Sequence, residues 1–484
     1  MDASVNKMSD FLSLANTEFI IPVYQRNYDW TLLQCQQLLN DIKEAGENDK
    51  VNAHFIGSIT YAHNKVYSSN KIKDYNIIDG QQRLTTATLI YIVLYWLYKD
   101  AGFDDDAEEI EHLYLKNKFV KNKEKLKLRP TENNSGALQY LLRDHRGETF
   151  SEFSRIILNY EFFKESINLD NAKIIQDGLS KLMFVEISVD RSVDDPQKIY
   201  ESMNSTGLAL SESDKIRNSI LMGFNSEEQE ILYKDYWYHV ELFTIDESNN
   251  ESKTTNFIRD FLTIENRDIP PKRSVYEIFK KTFFHKGGIS FDAAKEILVK
   301  IKTYANHYNK LLNPEKEKDK EIRKNLEFIN KLQINVSYTF LMELYEDYHN
   351  KVVSKETVIR ILELIQSFIV RRFIVGIPYG ALNNLFKVLH RDVLNKKDYY
   401  NQVAKSLIKR RGSGIYPKDQ EVVEALRKKD FYGIEVRKRN YILSKIEHYH
   451  SREPINIEDN SNITVEHIFP KKPHSNWRKF LSAD

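Results

Sequence analysis

A single cysteine in 484 residues, Cys35, removes any intramolecular disulfide and any cysteine-rich zinc site, and suits a reducing cytosol. Charge of one sign is missing as well. With 71 Lys and Arg against 70 Asp and Glu the formal charge is +1, so affinity for nucleic acid has to come from local patches rather than from the field of the whole chain. Long apolar runs are scarce: the most hydrophobic stretch, Leu84 to Tyr98, is broken by threonines and is shorter than the ~20 residues of a membrane span. It reads as a buried helix. No basic-then-apolar signal segment opens the chain, and these absences predict a cytoplasmic protein without membrane contact. The sequence has no Gly-x-x-x-x-Gly-Lys-Ser/Thr, so any nucleotide hydrolysis is not of the P-loop class. No fixed-period repeat or low-complexity tract is present.

What is there is enough apolar residue, 41%, over enough length to predict two or three domains, each with its own core. Residues 1–225 mix strand-like and helix-like segments, with strands expected at Glu18 to Val23, His54 to Tyr61, Tyr75 to Ile78 and Met183 to Val189. Thr31 with Gln34 forms a capping-box pattern opening a helix over Leu32 to Ala45, and Ser211 with Asp214 another over Glu212 to Met222. After Gly80, the residues Leu84, Ala87, Thr88, Tyr91, Leu94, Tyr95 and Tyr98 recur at helical spacing. From about 226 strand signals nearly vanish, and helical patterns such as Thr357 to Ile374 and Tyr432 to His448 take over. The division expected is 1–225, a helical domain at 226–400, and a helical lead-in with a further module at 401–484. An acidic stretch (Asp104 to Glu111) precedes a basic one (Lys116 to Arg129); solvated faces are the ordinary reading of such runs, and phosphate contact by the basic half is the alternative.

Two constellations carry chemistry. In Ile21-Pro22-Val23-Tyr24-Gln25-Arg26-Asn27-Tyr28-Asp29-Trp30 an extended apolar segment delivers polar groups just before a helix. Arg26 offers bidentate recognition of phosphate, or equally a structural pair with a carboxylate. In Ile77-Ile78-Asp79-Gly80-Gln81-Gln82-Arg83-Leu84-Thr85-Thr86 a buried strand turns through glycine into a helix whose first N–H groups and dipole favour an anion. Arg83 could clamp a phosphate there, Asp79 could hold a magnesium ion or orient water, and the glutamines supply neutral hydrogen bonds. A merely capped helix is the bland alternative.

These stretches, with Phe55-Ile56-Gly57-Ser58-Ile59 between them, resemble the N-terminal domain of GmrSD modification-dependent (type IV) restriction enzymes, a domain related to the ParB/sulfiredoxin fold. The resemblance continues through Ile199 to Ser211, where Asn204, Gly207, Leu210 and Ser211 follow the family's Asn-x-x-Gly-x-x-Leu-Ser turn, then Asp214, Arg217 and Asn218. It reaches Phe368-Ile369-Val370-Arg371-Arg372-Phe373 in the helical region. It implies binding and hydrolysis of a nucleoside triphosphate, GTP or ATP, with contacts from Gln25, Arg26, Asp79, Gly80, Gln81, Gln82, Arg83, Asn204 and Gly207. Asp79 and Arg83 would be catalytic. It also implies sensing of modified double-stranded DNA, the glycosylated hydroxymethylcytosine and phosphorothioate types being within what relatives recognise. A homo-oligomer or partner defence subunits fit the same picture.

Near the C-terminus, Ile463-Thr464-Val465-Glu466-His467-Ile468-Phe469-Pro470 resembles the first half of an HNH ββα-metal nuclease, as in the same enzymes. That likeness assigns His467 as general base and Glu466 to a divalent metal such as Mg²⁺; alone, a Glu-His pair is a weak signal. Only 14 residues follow Pro470, too few for the second strand and helix of such a module, so the expectation is a truncated nuclease start. Residues 401–450 carry 12 Lys and Arg against 6 Asp and Glu, and Lys409, Arg410, Arg411, Arg437, Lys438 and Arg439 are the expected DNA-phosphate contacts. The fold class expected is α+β: a ParB-like mixed domain, an all-helical domain and a partial ββα start. The competing functional reading is a nucleotide- and modified-DNA-binding regulatory subunit without nuclease activity.

Overall fold

The segments around Phe19, Ile59, Ile77 and Phe184 form strands because aromatic and β-branched residues fit a pleated, half-buried surface. The computed structural model describes residues 2–48, 50–63, 73–117, 125–143, 148–190, 210–284, 288–394, 398–430 and 433–453, with 455, 457, 474 and 477. Among these the chain is a helix-rich mixed α+β protein with one small mixed sheet. Its strands are β1 (Asp2–Lys7), β2 (Thr17–Ile20), β3 (His54–His63), β4 (Lys73–Asp79), β5 (Leu128–Arg129) and β6 (Leu182–Asp190), in the order β1-β6-β3-β4-β2-β5. Pairs β3/β6, β2/β4 and β2/β5 are parallel, whereas β1/β6 and β3/β4 are antiparallel. The segment expected at Glu18 to Val23 leaves the sheet after Ile20, before Pro22, which has no N–H to give a ladder. β1 is a polar, exposed edge strand with no alternation to announce it, and it exists through pairing with β6.

Around the sheet lie α1 (Met8–Ser13), α2 (Leu32–Glu47) and α3 (Gln81–Asp100). The Thr31–Gln34 capping box opens α2 as its sequence requires. From Gln81 to Tyr95 every side chain of α3 except that of Arg83 is buried. The helix is therefore enclosed on all sides, and a helix apolar all round belongs in a core. Its threonines satisfy their hydroxyls internally: Thr86 Oγ1 donates to the Gln82 carbonyl at 2.8 Å and Thr88 Oγ1 to that of Leu84 at 2.9 Å.

One member of the basic stretch departs from both readings of it. Lys127 is only 3% exposed, and its Nζ donates to the carbonyls of Leu12 (3.0 Å), Leu14 (3.1 Å) and Leu113 (2.6 Å). Burial lowers its pKa to about 8. The cation closes carbonyls that the end of α1 leaves without helical partners, so it is neither solvated nor offered to phosphate.

The chain divides into two compact units, Met1–His239 with Pro271–Lys302, and Val240–Pro270 with Thr303–Asp484. The second is helical apart from a two-residue strand pair, Ile245–Asp246 with Glu251–Ser252, among the described residues. Its helices Lys355–Val375 and Val436–His450 correspond to the periodic segments expected there, the latter starting four residues late. No helix among the described residues is long and apolar enough to cross a membrane. Asn204, Gly207, Glu466 and His467 lie outside the described residues.

Candidate functional site

The turn from β4 into α3 depends on Gly80. Its φ is +90°, and a Cβ there would stand 2.8 Å from Ile59 Cγ1 and 3.1 Å from Ile59 Cα, so no other residue fits without moving β3. Gly80 brings no capping side chain and the first turn of α3 contains no carboxylate. Among the described residues the amides at the start of this 20-residue helix have no capping side chain, and the positive end of the helix dipole lies behind them.

The loop 22–30 is fastened to this junction. Gln25, 4% exposed, donates from Nε2 to the Ile78 carbonyl at 2.7 Å. Gln82 Oε1 accepts from the amides of Asp29 (2.8 Å) and Trp30 (3.3 Å), while its Nε2 donates to the Asn27 carbonyl at 3.2 Å. Tyr28 and Thr86 share a hydroxyl hydrogen bond at 2.7 Å, and Asn159 Nδ2 donates to the Tyr28 hydroxyl (3.1 Å) and the Trp30 carbonyl (2.8 Å). Since Thr86 already donates to Gln82, the Tyr28 hydroxyl is the donor between them, and burial foremost holds that phenol above its ordinary pKa. From the Ser211-capped helix Glu212–Leu221, Arg217 Nε donates to the Tyr24 carbonyl at 2.9 Å while its Nη2 pairs with Asp214 at 2.9 Å.

Arg83 meets β3 at an irregularity. The β3/β6 register shifts between Phe55 and Ser58, where Gly57 takes φ +100°. Arg83 Nη1 donates to the Ser58 carbonyl, and a Cβ on Gly57 would lie 3.1 to 3.3 Å from the guanidinium carbon and both terminal nitrogens. The bare backbone at Gly57 lets the guanidinium lie against the bulge, a common way to aim a side chain beside a site. The side chains of Arg26 and Asp79, both half-buried residues, make no hydrogen bond or ion pair among the described residues.

The fold therefore gathers Gln25, Asp79, Gly80, Gln81, Gln82 and Arg83, the loop carrying Arg26, and the 55–59 segment. Gln25 and Gln82 bond the protein's own backbone, whereas, among the described residues, Arg26 and Asp79 have no side-chain partner and Arg83 bonds only the Ser58 carbonyl. Sequence reasoning placed Arg217 in a motif without giving it a role. Its signal was its spacing three residues after Asp214 on a capped helix. Asn159, 129 positions from Trp30 in the chain, gave none.

In the second unit the expected DNA contacts separate into two groups. Lys409, Arg411 and Arg437 are exposed. Arg410 pairs with Asp392 at 2.6 Å, Lys438 pairs with Glu435 at 2.7 Å and lies over the Phe373 ring, and Arg439 is half-buried. The Arg371-Arg372 pair fixes the segment leading into the C-terminal region. Arg372, fully buried, donates to the carbonyls of Pro378 (2.7 Å), Ser413 (2.8 Å) and Ile415 (3.0 Å), and Arg371 donates to that of Pro417 (3.2 Å) and pairs with Asp419 (2.6 Å). Among the described residues no group of three or more His, Cys, Asp or Glu could hold a metal ion.

Comparison with known proteins adds two regions. A family model described as the GmrSD restriction endonuclease N-terminal domain matches residues 8–221, and one for the GmrSD restriction endonuclease C-terminal domain matches residues 416–484. The first contains the whole Gly80 constellation through Arg217. The second starts inside the loop held by Arg371 and Arg372, well before Glu466, so the C-terminal domain extends over the helices Asp419–Lys428 and Val436–His450 as well. No curated protein matches the chain.

Proposed function

The chain belongs to the GmrSD restriction endonuclease family, and from that premise we propose a nucleotide-dependent enzyme that senses modification of double-stranded DNA and cuts it. The N-terminal constellation binds a nucleoside triphosphate, GTP or ATP, and hydrolyses it. The observation that carries this reading is the fastening of loop 22–30 to the helix start at Gly80, where, among the described residues, the side chains of Arg26 and Asp79 have no partner and Arg83 bonds only the Ser58 carbonyl. Buried or half-buried charges are ordinarily paired, so open ones beside uncapped helix amides fit an anionic ligand that completes them. Arg26 and Arg83 then hold phosphate oxygens, the amides after Gly80 take a third, and Asp79 orients water or a magnesium ion. Asn204 and Gly207 belong to the same site in this proposal.

Cutting is assigned to the C-terminal domain, with His467 taking the proton of the attacking water and Glu466 toward a divalent metal. Lys409, Arg411 and Arg437 meet DNA phosphates. The lone, buried Cys35 fits a cytoplasmic enzyme.

Hydrolysis of GTP and ATP should fall about 10- to 100-fold or more in Arg83→Ala and Asp79→Ala, the loss of one charge-assisted contact being worth roughly 1.5–3 kcal/mol. Activity within twofold of wild type in both would refute the nucleotide assignment. Digestion of glycosylated, phosphorothioated and plain DNA, with and without nucleotide and Mg²⁺, tests the sensing. His467→Ala should lower cutting by about 10²–10⁴-fold.

A further inference from the structure

Lys445, on the helix Val436–His450, carries a cation that no carboxylate pairs among the described residues. Its Nζ lies 3.8 Å from the centroid of the Phe328 ring and 5.7 Å from that of Tyr441, and no hydrogen bond or ion pair reaches it among the described residues. Ring faces attract an ammonium but accept none of its three N–H donors in the manner of an oxygen. Burial lowers its pKa to about 8; of the charged groups facing it, Glu363 on Lys355–Val375 pulls upward and Lys324 on Lys320–Lys331 downward.

Lys445 lines a cavity of about 580 Å³ between the helices Lys355–Val375, Asp419–Lys428 and Val436–His450. The rest of the wall is mostly apolar, with Val370, Ile374, Val422 and Ile442 and the Tyr441 ring, while Glu363, Gln366, Ser367 and Arg371 add polar groups to it. A cavity for phosphate alone needs no such lining. A purely apolar ligand would leave the ammonium unsatisfied. One charged end and one flat, weakly polar body fit both halves, and a nucleotide has that construction.

The surroundings favour DNA as its source. Residues 401–450 carry twice as many basic as acidic side chains, and Arg427, Lys428 and Arg437 are exposed on the two C-terminal helices. All six lining residues beyond residue 416, Val422, Tyr441, Ile442, Lys445, Ile446 and Tyr449, belong to the matched C-terminal region of a DNA-cutting family.

We propose that this cavity receives one unpaired nucleotide of the DNA substrate, its phosphate on Lys445 and its base against Tyr441 and the aliphatic wall. A paired base keeps its faces inside the stack, so the site discriminates for a strand that is bulged, mismatched or extruded. The assignment uses the DNA substrate of the family and none of the nucleotide hydrolysis proposed for the N-terminal domain.

The test uses the full chain with three probes: a duplex carrying a single bulged 2-aminopurine, the fully paired duplex, and free deoxyadenosine monophosphate. The bulged duplex should bind more tightly than the paired one, with a change in 2-aminopurine emission. Lys445→Met should weaken bulged binding about 10-fold and reduce the slope of log affinity against log salt by roughly 0.7–0.9, one phosphate contact. Lys445→Arg should keep both. Val422→Trp, filling the cavity from a half-buried position, should remove the preference for the bulge while leaving paired-duplex binding intact. Wild-type affinity for the bulge should decline from pH 7 to 9 as Lys445 loses its proton, and Lys445→Arg should not show that decline. Equal binding of bulged and paired duplexes, or unchanged bulge binding in both Lys445→Met and Val422→Trp, would overturn the proposal. So would free monophosphate competing at a Lys445-dependent site as well as bulged DNA. All of these assays contain no nucleoside triphosphate, which separates this site from the nucleotide hydrolysis proposed for the N-terminal domain.

Discussion

At the scale of single residues, the N-terminal constellation turns on how Arg83 is aimed. In a stretch where every other side chain of α3 is buried, Arg83 reaches out to the Ser58 carbonyl across a glycine whose φ only glycine adopts without strain. Gly57→Ala therefore introduces two faults at once: about 1–2 kcal/mol of left-handed strain, and a methyl 3.1 Å from the guanidinium carbon that must push it aside. The expected result is a fall of a few degrees in Tm and a loss of the proposed nucleotide hydrolysis close to that of Arg83→Ala. A destabilised variant with wild-type turnover would show that the bulge matters to folding and not to the position of Arg83.

Among elements, the helix Lys355–Val375 acts as the bracket for the C-terminal lead-in. Arg372 is fully buried with three backbone carbonyls as acceptors. Arg371 ties Pro417 and Asp419 at the start of the helix Asp419–Lys428. Replacing Arg372 by Met fills much of the volume yet leaves those carbonyls without a donor, and hydrogen bonds to a charged group contribute ~1.5–3 kcal/mol each in such settings. Denaturant unfolding should report a loss of about 2–4 kcal/mol, whereas Arg371→Met, whose partner Asp419 is exposed, should cost far less. Equal, small losses in both would mean that the loop 412–417 is held by other contacts.

On the scale of the whole molecule, stability should depend on pH through a charge cluster in the helical unit. His390 lies between Asp347 (2.8 Å) and Glu343 (3.0 Å); Tyr399 donates to Asp347 at 2.8 Å, and Arg267 pairs with Glu343 at 2.5 Å. Burial pulls the imidazole pKa down, but the hydrogen bonds and charges of Asp347 and Glu343 outweigh it and raise the value to about 9. A raised folded pKa means the stabilisation is complete below the unfolded value near 6.5 and is lost as pH climbs through about 9, amounting to about 3 kcal/mol. Lys127 and Lys445, both lowered to about 8, act in the opposite sense as pH rises from 8 toward their unfolded value. The His390 contribution is thus read as the difference between wild type and His390→Gln, which should shrink from pH 6.5 to 9.5. A difference that stays constant with pH would remove His390 from this role.

The sequence by itself determined what depends on neighbours a few residues away. Gly80 between an apolar strand and an apolar-periodic helix announced the junction, Thr31–Gln34 and Ser211–Asp214 announced helix starts, and the loss of period-two patterning after residue 226 announced the predominance of helices from there on. Each rests on local backbone sterics or hydrogen bonding, which adjacent side chains dictate. Only the tertiary structure decided which polar groups are open. Gln25 and Gln82 looked equivalent to Arg26 and Arg83 on paper, yet they bond the backbone at Ile78, Asn27, Asp29 and Trp30, while Asn159 and Arg217 secure the same loop from far along the chain. Lys127 and Arg410 read as available cations and are held by carbonyls and by Asp392. Whether a charged side chain is free depends on which remote acceptors the packed core brings within about 3 Å, and that proximity is a property of the three-dimensional arrangement.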